Sequence, residues 1–269
     1  MEEQMTERYY GWRKQFPDKN DYLYEEVAGV GAVPEPTSAD LSSLILRVKD
    51  QGQLGSCVAH GVTSAFEALQ VARTGTDFVA CRKEVYQNAR IIGGYYPGDN
   101  GATIRAGIQA TLKYGVAHEA LWPYQPTADF DNPIPFAVAS DATKSETTNF
   151  YLLDGTSSAQ KIANIRHCLG VTKLPVVFGT PVWQQFETVG PTGTVSMPPA
   201  RQQEIGGHCM MLFGYTPNHY YKVLNSWDVT WGAPFGKFTG GMGLFPEAYI
   251  AKYFSDCEVI AAESELAKS

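Results

Sequence analysis

Residues 51–60 read "QGQLGSCVAH", and they raise the question of why a cysteine stands where a turn gives way to a helix. Glycines at 52 and 55 loosen the chain, and Ser56 is placed to act as an N-cap. Val58, Val62, Ala65, Leu69 and Ala72 then follow at helical spacing, so Cys57 is predicted in the first helical turn. Unpaired N–H groups and the positive end of the helix dipole favour an anion there, and a thiolate is one. The competing reading is a buried cysteine that serves as a small apolar side chain. A reactive thiol needs three further parts: a histidine base, a group that orients it, and a donor for a developing oxyanion.

The 269-residue chain has room for one large domain or two smaller ones sharing a cleft. Its 44% hydrophobic and 18% charged content describe an ordinary soluble globular protein. A net charge of −7 with no basic run argues against nucleic acid and anionic lipid as partners. Five cysteines, at 57, 81, 168, 209 and 257, form no CxxC pair, so a disulfide framework or structural zinc site is not expected. The N-terminus has no apolar signal-peptide core and no run approaches a membrane span, so membrane insertion is not expected. A soluble, cytoplasmic protein is the default expectation, with leaderless export left open.

Residues 1–40 are polar and aromatic, then rich in Gly, Pro and Ala, and are expected to form an arm and linker, with a short propeptide as one role. Residues 41–160 carry helical signals. One helix is predicted from Ser56 to Gly75 and a second from Thr103 to Gly115, with Ile104, Ile108 and Leu112 on one face. A third is predicted in "SSAQKIANIRHCLG", closed by Gly170. Within residues 161–269 the runs "LPVVFGTPVW", "GGHCMMLFGYT" and "YYKVLNSW" read as strands. The expected class is therefore α+β, with a mainly helical lobe followed by a mainly β lobe.

Among the histidines, His60 lies on the same helix as Cys57 and would point along it, while His118, His167 and His219 lack flanking glycines. His208 follows Gly206 and Gly207 and opens an apolar strand, at backbone that can approach a cleft closely. Asn225 ends a strand that can return beside it, and an Asn carbonyl there would accept a hydrogen bond from one imidazole nitrogen and leave the other facing the thiol. Trp227 would shield that bond from water.

The ordered motifs "QGQLGSC", "GGHCMMLFGY" and "NSWDVTWG" resemble the papain family of cysteine peptidases. The stretches "DNGATIRAGIQATLKYGVAHEALWPY", "LPVVFGTPVWQQF" and "YYGWRKQFPDKNDYLY" extend the likeness, the last to a bacterial subgroup with a short N-terminal extension. The resemblance implies the family's two-lobe fold with the active site in the cleft between the lobes. It implies Cys57 as nucleophile, His208 as base and acid, Asn225 as orienter, and the Gln51 amide joining the Cys57 N–H as oxyanion donors, with no metal or organic cofactor. It also implies substrate contacts at Gly101, Ala102, Gly179, Gly207 and Trp227. Val58 and Leu54 stand where the family usually has Trp and a half-cystine, and Asp228 replaces the usual Gly after "NSW".

The resulting expectation is hydrolysis of peptide bonds in a peptide or protein substrate through an acyl-enzyme. Two alternatives are a catalytically silent binding protein on this scaffold and a transglutaminase-like acyl transferase. Gly207 suggests a tolerant, uncharged, apolar-preferring pocket for the second residue upstream of the scissile bond. A Cys-His ion pair would hold the thiol below its usual pKa of about 8.5. Six aromatics in the arm, Tyr9, Tyr10, Trp12, Phe16, Tyr22 and Tyr24, are expected to leave water, either padding a lobe or covering the cleft as an intramolecular inhibitor.

Overall fold

The computed structural model describes residues 9–126, 129–145 and 149–266. Residues 1–8 of the expected arm lie outside this range. The helices are α1 (Tyr24–Val27), α2 (Cys57–Thr74), α3 (Arg82–Gly93), α4 (Ile104–Tyr114), α5 (Phe136–Ala142), α6 (Ser158–His167), α7 (Gln184–Glu187), α8 (Glu247–Tyr253) and α9 (Glu263–Leu266). The strands are β1 (Ala39–Asp40), β2 (Phe150–Leu152), β3 (Val176–Val182), β4 (Gly206–Tyr215), β5 (Tyr220–Leu224), β6 (Ala233–Phe235), β7 (Phe238–Pro246) and β8 (Ser255–Ile260). No helix among the described residues is long and apolar enough to cross a membrane.

Helix α2 forms the spine of the helical side. Its residues are almost wholly buried through Leu69, because β4 covers one face while α3 and α4 pack on others. Gly75 ends it in the left-handed region at φ 70°, where its N–H closes the last turn on the Val71 carbonyl. At its start Ser56 holds the N-cap position without a side-chain cap. Its hydroxyl bonds to Tyr124 Oη at 2.6 Å instead, tying the helix start to the loop after α4. Helix α4 does carry a side-chain cap, with Thr103 accepting from the Ala106 N–H. The predicted third helix departs from expectation at its end: it runs on through a π-turn at Cys168–Thr172, and Lys173 at φ 60°, not Gly170, terminates it.

The β side is an antiparallel sheet in the order β2-β8-β3-β4-β5-β7-β6, with β1 pairing the far end of β4. Strand β4 is central, and its apolar run Cys209–Met210–Met211–Leu212–Phe213 is buried on both faces, between α2 and the rest of the sheet. The arrangement is the expected α+β class, helices on one side and an antiparallel sheet on the other. Pairing of β4 with β3 sets Gly179 opposite Cys209 and Gly207 opposite Pro181. The β8 strand is paired to β3 with a register shift between Val177 and Gly179. Strands β6 to β8 and helix α3, which the sequence reading did not single out, complete the two sides.

Residues 1–40 were expected to behave as one arm. Instead, the described part divides. Tyr24 is fully buried and bonds to His167 Nδ1 at 2.9 Å, the Pro36 carbonyl accepts from Tyr215 Oη at 2.9 Å, and β1 belongs to the sheet. Among the described residues, those from about 22 onward are therefore part of the β side, and 9–21 form the arm.

All five cysteines are unpaired and buried.

Candidate active site

Cys57 opens α2 where the helix meets β4. Its thiol lies within hydrogen-bonding reach of backbone groups of Cys209, Val58, Gly11 and Trp12. Cys209 directly follows His208 on β4, and that strand packs on α2, so Cys57 and His208 stand on neighbouring elements. The His208 ring is buried, and its Nε2 donates to Asn225 Oδ1 at 2.8 Å. That oxygen also accepts the Ser226 N–H at 2.8 Å. Trp227 stacks on the His208 ring with centroids 4.9 Å apart and planes 29° apart, covering the hydrogen bond. Phe186 and Trp231 pack behind it.

Gln51 is fully buried and tied to the same loop. Its side-chain oxygen accepts from Ser226 Oγ at 2.7 Å, and its N–H bonds to the Ser226 carbonyl at 2.9 Å. These contacts fix the amide's orientation, so Nε2 donates to the carbonyls of Leu54 at 3.1 Å and of Tyr9 at 3.0 Å. Ser226 was missed by the sequence reading, although it sits in the quoted "NSW". Asp99 was missed as well: its carboxylate accepts the Gly55 N–H and so shapes the turn before Cys57. Nothing in local pattern marks it, because the contact spans 44 residues.

The expected substrate-contact positions all touch the chain's own arm. Ala102 donates to the Gly11 carbonyl and accepts from the Arg13 N–H, both at 2.9 Å, and the Gly207 carbonyl accepts from the Trp12 N–H at 3.1 Å. Gly101, at φ 69°, lies against Gly11. The Trp12 indole lies so close over Gly179 that a Cβ there would stand 1.9 Å from its Cε2. Tyr10 packs edge-on against both His208 and Trp227, with centroids 6.1 Å away in each case, and its hydroxyl donates to Glu187 at 2.5 Å.

Three expectations need correction. Phe16 and Tyr22 are 88% and 60% exposed and Tyr9 is 42% exposed, so only Tyr10, Trp12 and Tyr24 of the six aromatics leave water to a large extent. The cleft grips mainly backbone, which allows the other rings to point outward. The Cys57 thiol is not lowered but pushed up to about 11 by burial, against the smaller opposing effect of backbone groups of Cys209, Gly11, Val58 and Trp12. Nor are the surroundings of the Trp12 ring uncharged: Asp256 accepts from its indole Nε1 at 3.1 Å. His60 does point along its helix, its Nδ1 meeting the Ser56 hydroxyl and carbonyl one turn back, and burial with Arg82 nearby lowers its pKa.

Among the described residues no group of three or more His, Cys, Asp and Glu side chains gathers as a metal site requires. Comparison with known families matches residues 35–238 to the papain family cysteine proteases. A peptidase C1-like protein of Acanthamoeba polyphaga mimivirus is 30% identical over 254 residues, covering 86% of this chain and 81% of its own. Papain of Carica papaya is 23% identical over 222 residues, covering 78% of this chain and 56% of its own. Among solved structures, xylellain, a cysteine protease from Xylella fastidiosa, superposes with a TM-score of 0.79 at 26% identity over 94% of this chain and 96% of its own. A digestive procathepsin L 3 of Tenebrio molitor larval midgut shares the fold, with a TM-score of 0.67 at 18% identity, covering 90% of this chain and 76% of its own. A family match of this length, together with a relative similar along most of both chains, establishes that the chain belongs to the papain family of cysteine proteases.

Proposed function

We propose that this protein is a cysteine peptidase that hydrolyses peptide bonds and that the structure is its latent form, with residues 9–16 covering the cleft. The observation that carries the reading is a peptide strand seated along Cys57 by main-chain hydrogen bonds to both walls, with a carbonyl at the Gln51 amide. Backbone contacts of that kind recognise a peptide as such, whatever its side chains.

In the open enzyme His208 takes the proton from Cys57, and the thiolate attacks the substrate carbonyl carbon. Asn225 holds Nε2–H, so Nδ1 is the nitrogen that serves the thiol. Gln51 Nε2 and the Cys57 N–H, an unpaired donor at a helix start, receive the oxyanion. His208 returns the proton to the leaving amine, the thioester forms, and water activated by the same ring releases the acid and restores the thiol.

Protonation of the leaving amine by His208 places the downstream half of a substrate toward Trp227 and the upstream half toward Ala102 and Gly179. The arm runs the other way, since Tyr10 lies at Trp227 and Trp12 at Gly179. A strand of reversed direction offers no scissile nitrogen to His208, so it occupies the cleft without being a good substrate.

The test uses the full chain and Gly11→Ala. A Cβ at residue 11 would stand 1.7 Å from the Gly55 carbonyl oxygen, so the arm cannot seat while the remainder of the chain stays whole. Incubation with an epoxide thiol-peptidase inactivator, read by intact mass, is expected to label Gly11→Ala quickly, the parent slowly and a Cys57→Ala derivative not at all. Cleavage of a fluorogenic peptide by Gly11→Ala is expected in parallel. Labelling without any hydrolysis would sink the peptidase reading.

A further inference from the structure

The peptide group between Leu54 and Gly55 faces two ways. Its N–H donates to the carboxylate of Asp99, at 3.0 Å from Oδ1 and 2.9 Å from Oδ2. Its carbonyl accepts from Gln51 Nε2 at 3.1 Å and from the Ser56 N–H at 2.7 Å. One planar, rigid unit therefore stands between an acidic side chain and the amide proposed as an oxyanion donor.

An amide nitrogen carries two hydrogens. The Leu54 carbonyl takes one of those on Gln51, and the Tyr9 carbonyl of the arm takes the other at 3.0 Å. Only the second can turn to a substrate once the arm is away, and its direction is set by where the first is held. Ser226 Oγ fixes the oxygen end of the amide, and the Leu54 carbonyl fixes the nitrogen end. Gly55, with no Cβ, offers little resistance to rotation of the peptide plane that carries this carbonyl, so the hold on its N–H side has to come from outside the turn. Asp99 stands at the surface, but its Oδ1 is tied inward by the hydroxyl of the fully buried Tyr86 on α3. The same hydroxyl accepts the Gly101 N–H at 3.2 Å. A carboxylate on the N–H side also polarises the peptide and strengthens its carbonyl as an acceptor.

Resting on the peptidase reading, we propose that Asp99 is a positioning residue for the reaction: by holding the Leu54–Gly55 peptide, it aims the second N–H of the Gln51 amide at the oxyanion. It touches no substrate itself.

Two measurements test this, both in the full-length Gly11→Ala chain with active sites counted by epoxide labelling. Asp99→Ala is expected to lower kcat on a fluorogenic peptide about tenfold, the worth of one hydrogen bond to a charged group, with little change in KM. Asp99→Asn, whose side-chain oxygen can still accept from Gly55 and Tyr86, is expected to recover most of that loss. Tyr86→Phe, which keeps the carboxylate but frees it from α3, is expected to show a smaller loss. When Gln51→Ala is also present, Asp99→Ala is expected to cost less than about twofold, because the group it positions is gone. A merely structural role would lower kcat by the same factor with or without Gln51; that result, or a kcat unchanged by Asp99→Ala, overturns the proposal.

The second measurement needs no hydrolysis. A peptide aldehyde adds reversibly to Cys57: the sulfur bonds to the carbonyl carbon, the C=O pair moves onto the oxygen at the oxyanion donors, His208 takes the thiol proton, and no group leaves. Iodoacetamide alkylates the same sulfur without forming an oxyanion. Asp99→Ala is expected to weaken aldehyde binding about tenfold while the alkylation rate stays within about twofold. Equal changes in both, or none in either, overturn the proposal. The predicted pattern with no peptide cleavage by any of these chains would instead fault the hydrolase reading alone.

Discussion

Residues 9–21 and residues 22–40 are neighbours in sequence, yet they are held by different physics. The first segment is fixed by backbone hydrogen bonds at Ala102, Gly207 and Gln51, by one indole over Gly179, and by the ion pair of Asp21 with Arg105. The second is fixed by a fully buried Tyr24, by β1 in the sheet, and by the ion pair of Glu35 with Arg166 at 2.9 Å. Hydrogen bonds to cleft backbone exchange readily for bonds to water or to another peptide, so their net contribution is small. Buried aromatic surface has no such substitute. On the proposed latent-form reading, the contrast makes one segment removable and the other a permanent part of the fold.

The largest expected effect tests the permanent segment. Tyr24→Ala empties a buried aromatic site and strips a hydrogen bond from His167, so urea unfolding of the full chain is expected to show a loss of about 3–5 kcal/mol. A loss below about 1 kcal/mol would place residues 22–40 with the arm and erase the distinction.

Next in size is the removal of the proposed oxyanion donor, which in this structure meets the Tyr9 carbonyl of the arm. In the Gly11→Ala chain, Gln51→Ala is expected to lower turnover by about 10²–10³, the usual cost of one oxyanion donor. Unchanged kcat would mean that the Gln51 amide serves only to hold the Tyr9 carbonyl.

Smaller again is the gain from unseating the arm. Gly11→Ala is expected to raise activity on a small peptide by about tenfold or more, equivalent to roughly 1.4 kcal/mol of arm seating. The pH profile of Cys57 alkylation should move with it. Burial pushes the thiol up to about 11, so the parent should react appreciably only in alkali. Uncovering removes that burial, and reaction should begin at lower pH. Coincident profiles for the two chains would show that the arm does not cover the thiol in solution.

The smallest effect concerns Glu258, which the two regions share. It lies on β8 and accepts from Gln15 Nε2 of the arm at 2.5 Å, and burial pushes its carboxyl up to about 8 from an ordinary 4.5. A folded pKa above the unfolded one means that the folded chain keeps a proton the unfolded chain gives up. Its stabilising contribution is therefore complete below pH 4.5 and is lost as pH rises through about 8. Thermal unfolding at a series of pH values is expected to show a flatter profile in Glu258→Gln than in the parent. If the parent's slope survives in Gly11→Ala, the burial belongs to the sheet; if it vanishes, the arm supplies it.

Much of this site was legible before any coordinates. Cys57 could be placed at a helix start because Gly55, Ser56 and the apolar positions from Val58 to Ala72 follow local rules, and local rules act through neighbouring residues. The glycines before His208 and the strand-like runs around it marked β4 and β5, and their pairing delivers the bond from His208 to Asn225 that the sequence reading anticipated. Ser226, Asp99 and Asp256 escaped notice because each acts on residues far away in the chain. Asp256 meets Trp12 across 244 residues, and no periodicity encodes such a meeting.

By itself, the sequence determined the papain-like motifs, the mixed α+β class and the apolar patterns of the principal helices and strands, since these depend on residue type and short spacing. Only the tertiary structure decided where the first forty residues go. Tyr10, Trp12 and Tyr24 are all large rings on a polar background, and composition cannot separate them. What separates them is the shape that receives each one: a cleft floored by glycine and rimmed by backbone acceptors for Tyr10 and Trp12, and a closed core for Tyr24. Whether a buried ring can leave again depends on what water or another ligand can restore in its place, and that is a property of the packed site, not of the residue.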